Sequence, residues 1–151
     1  MIFISHRGNL NKINKELENK QPYIDKAILE GFDVEIDVWE KNGFLFLGHD
    51  EPETHVTIDW LIDRKNKLWI HCKNFSALDL CLQKKLRCFF HEKERFTIIS
   101  NNLIWAHDLE MANKNCIIPL LDLQQYLNWK PIEVYGICSD FVGVISEKHK
   151  L

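Results

Sequence analysis

An α/β fold, and more narrowly a reduced (β/α) barrel of TIM type, is what this sequence predicts, and three observations carry the expectation. Apolar runs of strand character alternate with helical segments along the 151 residues, the order that builds a mainly parallel sheet. About eight such strands can be read, the number that closes a barrel. Several connections after Phe89 are too short for a helix, and the chain falls well below the roughly 250 residues of a complete (β/α)8 barrel. Several outer helices are therefore expected to be missing, and the length fits one domain over residues 1–151.

Each element has a local cause. The apolar run IFIS reads as a first buried strand. The polar stretch NLNKINKELENK reads as a loop with little core content. PYIDKAILEGF starts on Pro22, carries Ile24, Ala27 and Ile28 at helical spacing and stops at Gly31, so it is a helix with both of its signals. DVEIDVWE alternates as a strand, KNG turns, and FLFLGHD runs back, which predicts a hairpin. TIDWLIDRK is a short helix capped by Thr57 or Asp59, and KLWIHCKN is the next strand. SALDLCLQKKL is an amphipathic helix with Ser76 as its expected cap, and QKKLR reads as its solvated end. RCFFH, FTIIS, NLIWAHD and CIIPL read as strands, LLDLQQYL as one or two helical turns, and EVYGICSDF as the last strand.

Composition narrows the function classes. A formal charge of −3 without a basic block argues against a nucleic-acid partner. The five cysteines are scattered with no CxxC pair, which suits reduced, buried thiols in a reducing compartment rather than a zinc or disulfide framework. MIFI is too short for a signal peptide. No apolar run approaches the roughly 20 residues of a membrane span. A cytoplasmic, soluble protein is the expectation.

The chemistry-bearing residues gather at strand ends. In a strand, residues i and i+2 share a face. Glu35 and Asp37 therefore point one way, about 7 Å apart, while Ile36 and Val38 point the other. Two carboxylates on one face repel unless a cation lies between them, and hard divalent ions take such oxygen ligands. WIHCKN repeats the arrangement with His71 and Lys73 on one face. His49 and Asp50 end the hairpin strand, and His6 and Arg7 end the first strand. All stand at or near C-terminal strand ends, where barrel active sites are built. Two histidines suit acid–base work near neutral pH, and Arg7 suits bidentate phosphate binding, with Gly8 allowing close backbone approach. Together these are parts for metal-assisted phosphodiester cleavage.

Taken in order, these residues resemble the glycerophosphodiester phosphodiesterase family. The likeness lies in HRG at 6–8, EID at 35–37 and GHD at 48–50. HCK at 71–73 stands where that family usually has Glu-x-Lys, and GICSDF at 136–141 resembles its final strand. HRGN, YIDKAI, GFDVEIDVW and HCKN further resemble the short phosphodiesterase-like proteins of bacterial capsule and surface-polysaccharide gene clusters. The resemblance implies a PLC-like phosphodiesterase barrel and a divalent cation, Mg²⁺ first with Mn²⁺ or Ca²⁺ as alternatives. It implies His6 and His49 as the acid–base pair, Glu35 and Asp37 as metal ligands, and Arg7 and Lys73 as phosphate binders. His71, in place of the family's Glu, becomes the third ligand and favours softer ions such as Mn²⁺ or Zn²⁺ over Ca²⁺.

Asp50, His91 and Asp140 are candidates to support this group. Trp105 reads as core, His107 and Asp108 as surface loop, and His55 and His149 as surface. The expected activity is hydrolysis of a glycerophosphodiester or a related sugar- or glycerol-linked phosphodiester by the two histidines. The alternatives are a lyase that releases cyclic phosphate and a catalytically silent barrel that binds phosphoglycans or a partner. A homodimer covering sheet left bare by missing helices is a further expectation.

Overall fold

The computed structural model describes residues 1–149, among which are ten strands and five helices. β1 (Ile2–His6) leads through a loop into α1 (Gln21–Leu29). β2 (Asp33–Lys41) follows, and β3 (Phe44–Leu47) and β4 (Thr54–Val56) fold back on it. Then come α2 (Ile58–Asp63), β5 (Leu68–Cys72), α3 (Phe75–Gln83) and β6 (Cys88–Phe89). β7 (Phe96–Ile98), β8 (Ile104–Ala106) and β9 (Cys116–Pro119) are joined without a helix. α4 (Leu123–Asn128), β10 (Gly136–Ser139) and α5 (Val142–Lys148) complete the order.

Eight strands form one curled sheet in the order β6-β5-β2-β1-β10-β9-β8-β7. Every neighbouring pair is parallel except β7 and β8. The two ends of the curl meet at Ser100, just past β7. Its N–H donates to Cys88 O at 2.9 Å, and its Oγ accepts from Cys88 N–H at 3.0 Å. The architecture is a mixed α/β one with a curled, half-barrel sheet, consistent with the reduced barrel expected, and the run from Phe89 to Cys116 carries no helix among the described residues.

Strand alternation sorts the core into two layers. Ile4, Trp69, Phe89, Ile99, Trp105, Ile117 and Cys138 form one buried cluster inside the curl. Val34, Ile36, Val38, Leu68, Ile70 and Cys72 face outward and pack under Ile24 and Ala27 of α1, Leu61 of α2, and Ala77 and Cys81 of α3. Burying each larger aliphatic side chain is worth about 1.5–3 kcal/mol, so the helices are held on this side. Ile137 and Ile145 belong to a further cluster, and Phe3 packs against both it and the helix-covered one. All five cysteines are buried with free thiols. No helix among the described residues is long and apolar enough to cross a membrane.

β2 is the longest strand of the curl and has two jobs. Its first half pairs with β1 and β5, placing His6 beside Glu35 and Asp37 beside His71. Its second half rises past the end of β1 and pairs with β3, with Val38 opposite Leu47. The returning chain then donates Gly48 N–H to Asp37 O at 3.2 Å. Gly48 has φ +154°, and a Cβ there would strike the Glu51 carbonyl. This close approach sets His49 beside Asp37.

Four local expectations need correction. The loop after β1 contributes to the interior, because Asn9, Leu10 and Asn19 are buried. β4 and α5 were not expected: β4 is only three residues, and α5 follows β10 without a side-chain cap. The segment QKKLR is solvated only at Gln83, Lys84 and Lys85. Leu86 is buried, and the Arg87 guanidinium lies 3.6 Å over the Trp69 ring, whose Nε1–H donates to Asp33 Oδ2 at 2.9 Å. This group closes the end of the curl opposite the site.

The cap of α3 is Asn74 rather than Ser76. Its Oδ1 accepts from Ala77 N–H at 3.0 Å and from Glu40 N–H at 3.3 Å, and its Nδ2 donates to Glu40 O at 2.8 Å. One side chain thus caps a helix and ties it to β2. Asn74→Ala should cost about 1–2 kcal/mol in urea unfolding, and Ser76→Ala less than about 0.5 kcal/mol. The reverse ranking would overturn the cap assignment.

Candidate active site

The C-terminal ends of β1, β2, β5 and β10 converge on one mouth. His6, Arg7, Glu35, His49, His71 and His91 line a cavity of about 270 Å³ there, with Phe89 and Trp105 among its apolar walls. Asp37 lies fully buried beneath, in contact with Arg7, His49, His71 and Lys73. The structure therefore brings together all seven residues expected to do chemistry or bind the phosphate and metal.

Asp37 is the most heavily partnered group. Asn19 holds it twice, with Nδ2 donating to Asp37 Oδ2 at 2.9 Å and Oδ1 accepting from Asp37 N–H at 3.0 Å. Arg7 Nε lies 2.9 Å from Oδ2 as an ion-pair contact whose N–H is not aimed at the oxygen. Lys73 Nζ is 3.7 Å from Oδ1. Burial works against ionisation of Asp37, but the His49 and His71 contacts and the Arg7 charge hold its pKa well below the usual carboxylate value.

Glu35 has the opposite character. Burial and the charge of Asp37 push its pKa up, against the pull of His6, Arg7 and His71. Its Oε2 is buried and has no hydrogen-bond partner among the described residues. An unpartnered carboxylate oxygen costs free energy unless it takes a proton or a cation.

The His71 ring makes the same demand. Nε2 donates to His91 O at 3.2 Å, while Nδ1 faces Asp37 Oδ1 at 3.0 Å and Glu35 Oε1 at 3.9 Å. With Nε2–H committed, Nδ1 needs either a second proton or a metal ion in that proton's place. One ligand atom from each of Glu35, Asp37 and His71 lies within 4.8 Å of the others. Two buried carboxylate oxygens and an imidazole nitrogen suit a divalent ion that keeps open positions for water or substrate. The orphaned Glu35 Oε2 is the observation that makes the fit.

The two histidines are held differently. His6 Nδ1 donates to Asp140 Oδ1 at 2.8 Å, and its Nε2 lies 3.8 Å from Glu35 Oε2. Burial opposes charge on this ring, but the Asp140 hydrogen bond and the Glu35 charge outweigh it, and the His6 pKa is raised. Asp140 is itself held by Asn9 Nδ2 at 2.7 Å. His49 is 41% exposed, with Nδ1 2.5 Å from Arg7 Nη2. A guanidinium only donates, so Nδ1 accepts there and the ring proton sits on Nε2. Asp50 is almost fully exposed, 3.6 Å from that Nε2.

Arg7 carries more internal duty than a free phosphate clamp would. Besides Asp37 and His49, its Nη1 donates to Glu18 Oε2 at 3.2 Å. It sits at φ +55°, followed by Gly8 at φ +95°. A Cβ on Gly8 would run into the Tyr23 ring, so this glycine is required by packing.

No family model, curated protein or solved structure matches this chain. What the mouth can do is set by its own groups. Asn9, Glu18 and Asn19 support it from a loop whose polar composition carries no periodicity, and only contact with the mouth marks them. His107, expected on a surface loop, is exposed yet forms part of the cavity rim. His91 stacks on His71 with ring centres 4.4 Å apart, and Phe89 stacks on Trp105 at 4.7 Å. Burial and the neighbouring His71 lower the His91 pKa to about 4, so this ring adds no charge near neutral pH.

Mn²⁺ at a hundredfold excess over its Kd should stabilise the protein by about 2.7 kcal/mol, or about 5–10 °C in Tm for a chain this size. Glu35→Gln and Asp37→Asn should lose that rise, measured by thermal unfolding with and without the ion. An undiminished rise in either variant removes that residue from the ligand set. His71→Glu should keep the rise and move the preference from Mn²⁺ towards Mg²⁺.

Proposed function

We propose that this protein is a metal-dependent phosphodiesterase that cleaves glycerophosphodiesters or related sugar- or glycerol-linked phosphodiesters. The observation that carries the reading is the unpartnered Oε2 of Glu35, a carboxylate grouped with Asp37 and His71 at a cavity that His6 and His49 also line. Its motif resemblance to the glycerophosphodiester phosphodiesterases and to the capsule-cluster proteins supports the same chemistry. Free buried thiols suit action in the reducing cytoplasm.

A divalent ion, Mg²⁺ or Mn²⁺, held by Glu35, Asp37 and His71 would offset charge on the phosphoryl oxygens. The chain's own residues supply the rest. Asp140 keeps the His6 proton on Nδ1 and leaves Nε2 turned towards the cavity to take the proton of a hydroxyl neighbouring the phosphate. The new bond forms between that hydroxyl oxygen and phosphorus. The bond from phosphorus to the leaving alcohol breaks, and His49 returns a proton to its oxygen. Arg7 and Lys73 balance the phosphate charge, with Arg7 exchanging an internal contact for it. The cyclic phosphate is then opened by water with the histidine roles reversed, or it is released intact.

Incubation with glycerophosphoglycerol and Mg²⁺ or Mn²⁺, followed by phosphorus NMR, should show loss of the diester. Glycerol phosphate as the product marks a hydrolase, and persistent cyclic phosphate marks a lyase. Chelation should stop turnover. His6→Ala should lower kcat by roughly 10²–10⁴-fold with folding intact. Arg7→Ala should harm both KM and kcat, and Arg7→Lys should restore only part, since an ammonium lacks the planar fork. Full activity in folded His6→Ala would contradict the acid–base assignment. Absence of turnover for every diester would leave a silent phosphoglycan-binding barrel as the better reading.

A further inference from the structure

A second cavity, of about 390 Å³, opens beside the catalytic one. His107, Pro119 and Leu121 belong to the walls of both, so the two spaces adjoin at that rim. Leu109 and Trp129 extend the apolar wall, and Gln125 and Asn128 of α4 border it. Gln125 Oε1 accepts from Leu121 N–H at 2.9 Å, and Asn128 Oδ1 accepts from Gln124 Nε2 at 3.2 Å. The amide oxygens are thus engaged, while Gln125 Nε2 and Asn128 Nδ2 have no partner among the described residues.

Among the described residues, no Asp, Glu, Lys or Arg lines this space. Burial and the neighbouring His71 lower the His107 pKa below its ordinary value, so His107 adds no fixed charge near neutral pH. A trimethylammonium or ammonium group would find neither a carboxylate nor a cage of aromatic faces there, the two features that hold such cations. A ring with one apolar face and several hydroxyls would find the apolar wall of Pro119, Leu121 and Trp129, and two amide donors at its edge.

We infer that this second cavity receives the leaving alcohol of the phosphodiester and that it selects an uncharged polyol or sugar over a cationic alcohol. The inference rests on the phosphodiesterase reading for the first cavity and adds the substrate class. It gives α4 a task beyond covering β9 and β10: its register presents Gln125 and Asn128 to the same cavity.

The test compares glycerophosphoinositol with glycerophosphocholine, two diesters that share the glycerol phosphate and differ in the leaving alcohol. The protein should show a kcat/KM roughly tenfold or more higher for the inositol diester, the worth of one or two neutral hydrogen bonds with apolar contact. Gln125→Trp and Asn128→Trp, both at exposed helix positions, should fill the space and remove that preference. They should lower kcat/KM for glycerophosphoinositol by more than they lower it for glycerophosphocholine. Equal kcat/KM for the two diesters, or equal losses in the variants, would overturn the inference.

Saturation-transfer NMR with methyl β-glucoside and with choline keeps this result separate from the catalytic one. If neither diester turns over but the glucoside is saturated by the wild type and not by Gln125→Trp, the polyol site stands and the phosphodiesterase reading falls. If the glucoside is not saturated and neither diester is preferred, the polyol site falls while turnover is judged on its own.

Discussion

Glu35 and Asp37 stand two residues apart on the inner face of β2, at 3% and 0% exposure. Two like charges removed from water at that spacing cost several kcal/mol each unless they are compensated. Much of the mouth is that compensation. Arg7, Lys73, His71 and Asn19 converge on Asp37 and keep it ionised. Glu35 lacks such partners and is pushed towards its neutral form. The asymmetry lets the pair coexist, with one carboxylate charged by its neighbours and the other awaiting a proton or a metal ion.

The same constraint explains why the mouth is built from segments distant in sequence. β1 and β5 flank β2 and bring His6 and His71 to the two carboxylates through parallel register. The hairpin returns His49 to Asp37. β10 brings Asp140 behind His6, 134 residues away in the chain. The loop between β1 and α1 then locks these pieces together through Asn9 on Asp140 and Asn19 on Asp37. Asn19 does so at φ +57°, a backbone state that asparagine tolerates better than most residues. Removing one partner of such a buried charged group typically costs 3–5 kcal/mol, so the candidate site and folding stability share these residues.

Much of this arrangement was legible in the sequence where a period exposes it. Alternation over DVEIDVWE and KLWIHCKN separates residues aimed into the curl from those aimed at the helices, and the structure follows it residue by residue. Pro22 and Thr57 mark helix starts, and the short connections after Phe89 announce the helix-free side. The supporting asparagines were not legible, because Asn9 and Asn19 work through tertiary contacts in a loop without period. Ser76 and Asn74 are both good caps by type, and only the contact with Glu40 decides between them. His107 reads as surface loop because nothing in the sequence aligns it with a strand end, whereas it directly follows the three-residue β8.

The curled sheet and its mouth thus bring together Glu35, Asp37 and His71, a buried group with the ligand atoms to hold one divalent cation. The most direct measurement is anomalous scattering from crystals soaked in Mn²⁺. The account predicts one strong peak at about 2–2.4 Å from a carboxylate oxygen of Glu35, a carboxylate oxygen of Asp37 and His71 Nδ1, with the Asp37–His71 hydrogen bond replaced. A saturated soak with no peak there and His71 Nδ1 still 3.0 Å from Asp37 Oδ1 would contradict it, as would a peak at another site alone.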